Sequence, residues 1–303
     1  MAVRPEIDAF FDEPTNTISY LVRDPNSKVA AIIDPVLDYN PVTGEVDTRS
    51  VDRILEVVRT RGLSVSHVLE THAHADHLSA APYVKAETGA LIGIGEHIRA
   101  VQKIFRPMFN ADDIKVDGSD FDLLFEDGDH FAVGGLRFEV MHTPGHTPAD
   151  ICYKVGDAVF VGDTLFMPDY GTARTDFPGG DAHQLFQSIG RILALPRETR
   201  LFMCHDYLPE GRTEYRWETT VGDERDANVH IAGVGEETFV NMREARDAGL
   251  AAPRLLLPSI QVNIRAGRFP QAEANGVHYL RIPVRVKNYK PTAAGELNDQ
   301  GDA

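Results

Sequence analysis

The sequence predicts an α/β fold in which two β-sheets pack face to face with helices on the outside. Three observations lead to it. The predicted elements run in the order strands, helices, strands, helix, strand. Between residues 120 and 162 the pattern turns to β, with strict apolar–polar alternation over 136–141. Four predicted strands end in a His or an Asp, where backbone pairing stops and side chains can converge.

Each element has a local reason. Residues 17–23 and 28–33 are rich in β-branched side chains and are separated by the turn Asp24-Pro25-Asn26-Ser27, so both read as strands. Asp34-Pro35 stops the second, and residues 38–49, which have no apolar period, read as a loop. Ser50 stands as N-cap to a helix in which Val51, Ile54, Leu55 and Val58 recur at helical spacing and Gly62 marks the end. A short strand over 65–70 is followed by a helix over 78–88 closed by Gly89. Residues 90–94 predict a strand, 96–105 a helix, and 107–119 an irregular excursion. Strands are expected at 121–125 and 136–141, and a hairpin at 151–155 and 158–161 around Gly156-Asp157. Leu185, Ile189, Ile192 and Leu193 mark a helix over 181–194, and a strand follows at 200–203. Beyond 206 the pattern weakens: 209–230 is polar and carries several arginines, 236–247 predicts a helix with Asn241 outward, 278–286 reads as a strand, and the last dozen residues read as frayed.

Composition narrows the function. The 303 residues include 30 Lys and Arg against 46 Asp and Glu, a formal charge of −16 that repels phosphate backbones and weighs against nucleic acid as a partner. No apolar run approaches membrane-spanning length, and the N-terminus lacks a basic segment followed by an apolar one. The expectation is a soluble, cytoplasmic protein without a membrane partner. Cys152 and Cys204 are too few for a disulfide framework and read as small buried hydrophobes.

The chemistry concentrates at the strand ends. His72, His74, Asp76 and His77 fall within six residues, just after the apolar pair Val68-Leu69. Neutral imidazoles and a carboxylate packed this closely suit a divalent transition metal. Three further sites follow predicted strands: His142-Thr-Pro-Gly-His146-Thr, Gly162-Asp163-Thr164 and Cys204-His205-Asp206-Tyr207. His67, His97, His130, His183, His230 and His278 stand apart from these runs and read as structural.

The run His72-x-His74-x-Asp76-His77, followed in order by His142, Asp163 and His205, resembles the metallo-β-lactamase superfamily. The resemblance covers about residues 5–210 and implies a four-layer αββα sandwich with the metal site on one edge; 211–303 is then a C-terminal extension of a single domain. Arg174-Thr175-Asp176-Phe177 is similar to an Arg-Thr-Asp-Phe element of persulfide dioxygenases, and the Gly-Cys-Gly-Arg-x-x-Glu type segment of glyoxalase II enzymes is missing. Ile33-Asp34-Pro35, the run from Ala75 to Ala80 and Cys204-His205-Asp206-Tyr207 are also similar to that group, in particular its bacterial β-lactamase-like hydrolase type. The longer segments 38–49 and 209–230 depart from the animal and plant enzymes of the group.

The resemblance implies one Fe(II) per chain, held by the catalytic residues His72, His142 and Asp163, and oxidation of glutathione persulfide by O2 to sulfite and glutathione. Two imidazoles and a carboxylate make a facial triad that leaves positions open. His74, Asp76, His77 and His205 then orient water and ligands, or else hold a second metal. The alternative enzyme is a glyoxalase II-like hydrolase of glutathione thioesters, with two Zn(II) ions bridged by Asp163. A third reading, of another class, is a non-catalytic metal or redox sensor. Arg174, Tyr207 and Arg212 are the expected substrate-binding residues, with Arg212 part of a basic patch that includes Arg216 and Arg225. A homodimer is the assembly the resemblance implies.

Overall fold

The computed structural model describes residues 3–284. A first sheet opens with β1 (Glu6–Asp12), β2 (Thr17–Arg23) and β3 (Val29–Ile33). β4 (Val36–Tyr39) and β5 (Val46–Asp47) form a small side sheet before α1 (Arg49–Arg61), which Gly62 ends in the left-handed conformation at φ 61°. β6 (Ser64–Leu69) returns parallel to β3. β7 (Leu78–Ser79) pairs with β4, and α2 (Ala81–Thr88), β8 (Leu91–Gly95), α3 (Ile98–Met108) and β9 (Leu123–Phe125) complete this half. The first sheet has the order β1-β2-β3-β6-β8-β9.

The second sheet starts with the meander β10 (His130–Val133), β11 (Leu136–His142), β12 (Ile151–Val155) and β13 (Ala158–Phe160). α4 (Ala182–Leu193), whose N-cap Asp181 accepts from Gln184 N, crosses over to β14 (Arg200–Phe202), parallel to β13. β15 (Glu218–Thr220) completes the sheet. α5 (Val221–Ala227), α6 (Glu236–Asp247) and α7 (Leu256–Asn263) follow.

The two-residue period of the strands sorts the core. Ile18, Tyr20 and Val22 of β2 face Phe138, Val140, Tyr153 and Phe160 between the sheets. Leu21, between them in sequence, faces the other way and clusters with Ile54, Val84 and Val101 of α1–α3. On the far sheet Cys152, Val159 and Leu201 pack with Leu185, Ile189 and Phe239 of α4 and α6. The layers run helix, sheet, sheet, helix, as expected. The Tyr153 hydroxyl crosses between the sheets to donate to Glu70 O at 3.0 Å, satisfying its polar end beside the His cluster.

The structure departs from expectation in several places. β1, β10, β15, α5 and α7 carry too few local signals to stand out in the sequence. The loop over 38–49 contains β5 and the end of β4, because Asp38 and Tyr39 find partners in Asp47 and Val46. Helix α2 starts at Ala81, three residues late, because Leu78 and Ser79 pair with Leu37 and Val36. Thr48, not Ser50, takes the N-cap position of α1; the Ser50 hydroxyl instead bridges Asp12 and Asp38, at 2.9 Å from each. Residues 278–284 form no strand; 285–286 and the last dozen residues lie outside the described part. Within the C-terminal extension, Ile260, Val262 and Ile264 belong to the same buried cluster as α1–α3. No helix among the described residues is long and apolar enough to cross a membrane.

Candidate metal centre

The site is assembled from the ends of β2, β3, β6, β11, β13 and β14. Asp34, just after β3, sits at φ 50°, an uncommon conformation for a residue other than glycine. It accepts from Thr71 N at 2.8 Å, Thr71 Oγ1 at 2.9 Å and His74 Nε2 at 3.0 Å. Burial alone would raise the Asp34 carboxyl; the adjacent His74 and these hydrogen bonds hold it below the usual carboxylate range.

These bonds fix which ring nitrogens are free. Thr71 gives its only proton to Asp34, so at 3.0 Å it accepts from the Nδ1–H of His72. The lone pair of His72 is therefore on Nε2. Burial, reinforced by His74 and His146, lowers the basicity of His72 well below normal and keeps it neutral. His74 donates Nε2–H to Asp34, which leaves Nδ1 as the ring nitrogen without a partner. His146 donates Nδ1–H to the carbonyl of Arg174 at 2.8 Å. His205 donates Nδ1–H to Asn16 O at 3.2 Å.

The free atoms converge. His72 Nε2 and His146 Nε2 lie 3.8 and 3.6 Å from Asp163 Oδ2, and His205 Nε2 lies 3.3 Å from Asp163 Oδ1 and 3.4 Å from Asp76 Oδ2. His72 Nε2, His74 Nδ1, His77 Nε2, His205 Nε2 and Asp163 Oδ1 are buried and lack any hydrogen-bond partner. Buried polar atoms are rarely left so, and five aimed at one small region are the donor set of a metal centre. The donor atoms of His72, His146 and Asp163 all lie within 4.8 Å of one another. The residues therefore fit a metal.

His142 does not take part. It is the last residue of β11 and half-buried; Nε2 donates to Pro148 O at 3.0 Å and the ring stacks on His97 at 4.2 Å. The place expected for it belongs to His146, four residues on. The turn between them presses against α4: a Cβ on Gly145, at φ 144°, would lie 2.4 Å from Leu185 Cα. That approach, with the anchor at Arg174 O, turns His146 toward Asp163. Asp163 follows Gly162, where a Cβ would meet Thr71 at 2.9 Å, so the two ligand loops lie against each other.

The expected substrate residues divide. A cleft of about 400 Å³ opens onto the cluster, and Phe166, Tyr170 and Tyr207 form an aromatic wall beside Asp76, His146 and Asp163. Tyr207 is thus where it was expected. Arg174 also lines the cleft, but its guanidinium is engaged by Asp176 at 2.5 and 2.6 Å and by Ala251 O at 2.8 Å. Arg212 does not line it: that guanidinium is paired with Asp206 and, at 2.9 Å, with Asp169. Both arginines thus serve the protein's own carboxylates. The cations left for a ligand are Arg246 and Arg254, exposed on the cleft wall and without an ion pair or hydrogen bond to their side chains among the described residues. Sequence reading missed them, since neither lies near a ligand motif. It also missed Asn263, whose amide reaches the His cluster from α7.

Residues 13–205 match the Metallo-beta-lactamase superfamily, and the chain belongs to it. It is 53% identical over 285 residues to a "Beta-lactamase hydrolase-like protein" of Agrobacterium fabrum, covering 94% of this chain but 66% of that relative, so it spans just under two thirds of the relative's length. It is 44% identical to "Glyoxylase B2" of Dictyostelium discoideum, over 94% of this chain and 98% of the relative. It is 28% identical to the human mitochondrial persulfide dioxygenase ETHE1, over 85% and 87% of the two chains. The crystal structure of ETHE1 from Myxococcus xanthus superposes with a TM-score of 0.70 at 32% identity, covering 87% of this chain and all of that one.

Proposed function

We propose that the protein is a persulfide dioxygenase with one non-haem iron(II) per chain, held by His72, His146 and Asp163. The reaction is glutathione persulfide + O2 + H2O → glutathione + sulfite + 2 H⁺. The observation that carries this reading is the bond from His146 Nδ1 to Arg174 O at 2.8 Å, with Phe177 packed 5.8 Å from the same ring. It builds the element shared with persulfide dioxygenases, residues 174–177, into the support of a metal-binding histidine. Similarity to the human and Myxococcus proteins supports the same reading.

His72, His146 and Asp163 would hold the iron(II), which would supply a redox-active Lewis acid for the reaction of the persulfide sulfur with O2. The remaining work falls to the chain. Thr71, Asp34 and Arg174 O hold the imidazoles in the tautomers that present a lone pair. Phe166, Tyr170 and Tyr207 exclude water from one side of the cleft, while Arg246 and Arg254 draw the substrate's carboxylates to its wall. His205 Nε2 faces both Asp76 and Asp163: burial opposes a charge on the ring, but the two carboxylates raise its basicity well above normal.

The rival is a dinuclear zinc hydrolase of glutathione thioesters. Its support is the unpartnered nitrogens of His74, His77 and His205, which suit a second ion, and the name of the Dictyostelium relative. Anaerobic purification, metal analysis and oxygen uptake with glutathione persulfide separate the two. Iron close to one equivalent with persulfide-dependent oxygen consumption is the expected result. Two zinc ions, no oxygen uptake and turnover of a glutathione thioester would overturn the proposal.

A further inference from the structure

The loop that carries His72, His74, Asp76 and His77 belongs to no helix and only reaches a strand at Leu78. Its carbonyls therefore have no ladder of their own, and buried ones need partners from elsewhere. Two of them find the same partner. Asn263, the last residue of α7 and 3% exposed, donates from Nδ2 to His74 O at 2.8 Å and to His77 O at 2.8 Å. Its Oδ1 accepts from Ser79 N at 2.9 Å. One amide thus uses both protons and its oxygen to close the loop from His74 to Ser79.

The clamp continues to the ring of His74. The Ser79 hydroxyl donates to Glu70 Oε1, and Glu70 Oε2 lies 3.3 Å from His74 Nε2. His74 is held at its carbonyl by Asn263 and at its imidazole by Asp34, with the Glu70 carboxylate alongside. An independent packing feature seats α7 against this loop: at Gly267, φ 82°, a Cβ would meet Pro82 Cδ at 2.5 Å and Ser79 O at 2.8 Å. Asn263 lies outside residues 13–205, the part that matches the superfamily.

We infer that Asn263 is a positioning residue of the metal centre: it fixes the backbone from His74 to Ser79, in the loop that also carries His72, so that the loop's imidazoles keep facing the centre where His72 would hold the metal. The C-terminal segment is then part of what holds metal, whichever reaction the centre performs. An amide is suited to the task because it offers two donors and an acceptor in one plane. Aspartate at this position retains the acceptor for Ser79 N and turns a second oxygen toward two carbonyls.

The test measures metal affinity in the full chain by chelator competition, with cobalt(II) as probe, alongside the melting temperature of the metal-free protein. Asn263→Ala and Asn263→Asp are compared with Gln102→Met. Gln102 anchors the C-terminal end of the same helix by donating to Ile264 O at 2.9 Å, also bonds Asp120 and Gly118, and does not touch the His loop, so it reports loosening of this packing away from that loop. Both Asn263 variants should lose at least tenfold in cobalt affinity, in the range of outer hydrogen-bond partners of metal ligands. Gln102→Met should stay within about twofold even where its melting temperature falls as far. Asn263 variants within about twofold of the wild type, or an equal loss in Gln102→Met, would overturn the assignment.

Discussion

His146 and His142 show how little separates a candidate ligand from a bystander. Both are imidazoles in one turn, four positions apart, and both donate a ring proton to a backbone carbonyl. The difference is direction: His146 Nε2 ends 3.6 Å from Asp163, while the His142 ring lies on His97. His146→Ala should therefore purify with little or no iron, because it removes one of three donors. His142→Ala should keep close to the wild-type iron content, losing only a stacking contact. Metal analysis of the two variants is decisive, and the reverse outcome would return His142 to the centre. Asp34 makes the same point about support: a buried carboxylate at positive φ is unfavourable twice over, and the bonds to Thr71 and His74 explain why it persists.

At the scale of elements, ligands sit at strand ends because the sandwich brings the ends of both sheets to one edge. The strand signals were readable in β2, β3, β6, β11, β12, β13 and β14, so the ligand loops were readable too. Only part of the cleft wall was, through Arg174 and Tyr207. The rest comes from the end of α6 and the segment before α7, where Arg246 and Arg254 stand without an ion pair among the described residues in a protein of charge −16. On the proposed function, their local positive potential admits a carboxylate-bearing substrate to an acidic molecule. Arg246→Gln and Arg254→Gln should each raise KM for glutathione persulfide by about tenfold (~1.4 kcal/mol) and leave kcat nearly unchanged, as expected for uniform binding. An uncharged alkyl persulfide should show no such change. Steady-state kinetics with both substrates checks this; a fall in kcat with KM intact would place the arginines in the chemistry instead.

For the whole molecule, one buried acid outside the centre sets a stability trend with pH. Burial pushes Glu224 of α5 up to about 8, despite the hydrogen bond from Asn228; Asp223 and Asp169 add to the rise. The unfolded chain releases this proton near the ordinary glutamate value, while the folded protein holds it until about pH 8. Between those points the native state binds more protons, so this stabilisation is complete at low pH and is lost as pH rises through the interval. Glu224→Gln keeps an acceptor for Asn228 and removes the ionisation. It should melt several degrees above the wild type at alkaline pH and show a flatter profile from about pH 5 to about pH 8. Thermal melts across that range test it; parallel profiles for the two proteins would contradict it.

The sequence by itself determined the αββα sandwich, its superfamily and the four ligand-bearing strand ends. The packed sheets and the strand ends follow from apolar period and turn residues, which act over a few positions; the four-layer arrangement and the superfamily follow from the resemblance that the ligand motifs carry. It also marked Arg174 and Arg212 as cations near the centre, but not that Asp176, Asp206 and Asp169 already occupy them. Only the tertiary structure decided that His146, not His142, faces Asp163, that Arg246 and Arg254 are cations of the cleft without an ion pair among the described residues, and that Asn263 clamps a loop 189 residues away from it in sequence. The physical reason is common to all three. Which lone pair is free, which cation is unpaired and which carbonyl is satisfied depend on partners that meet only when distant segments pack together.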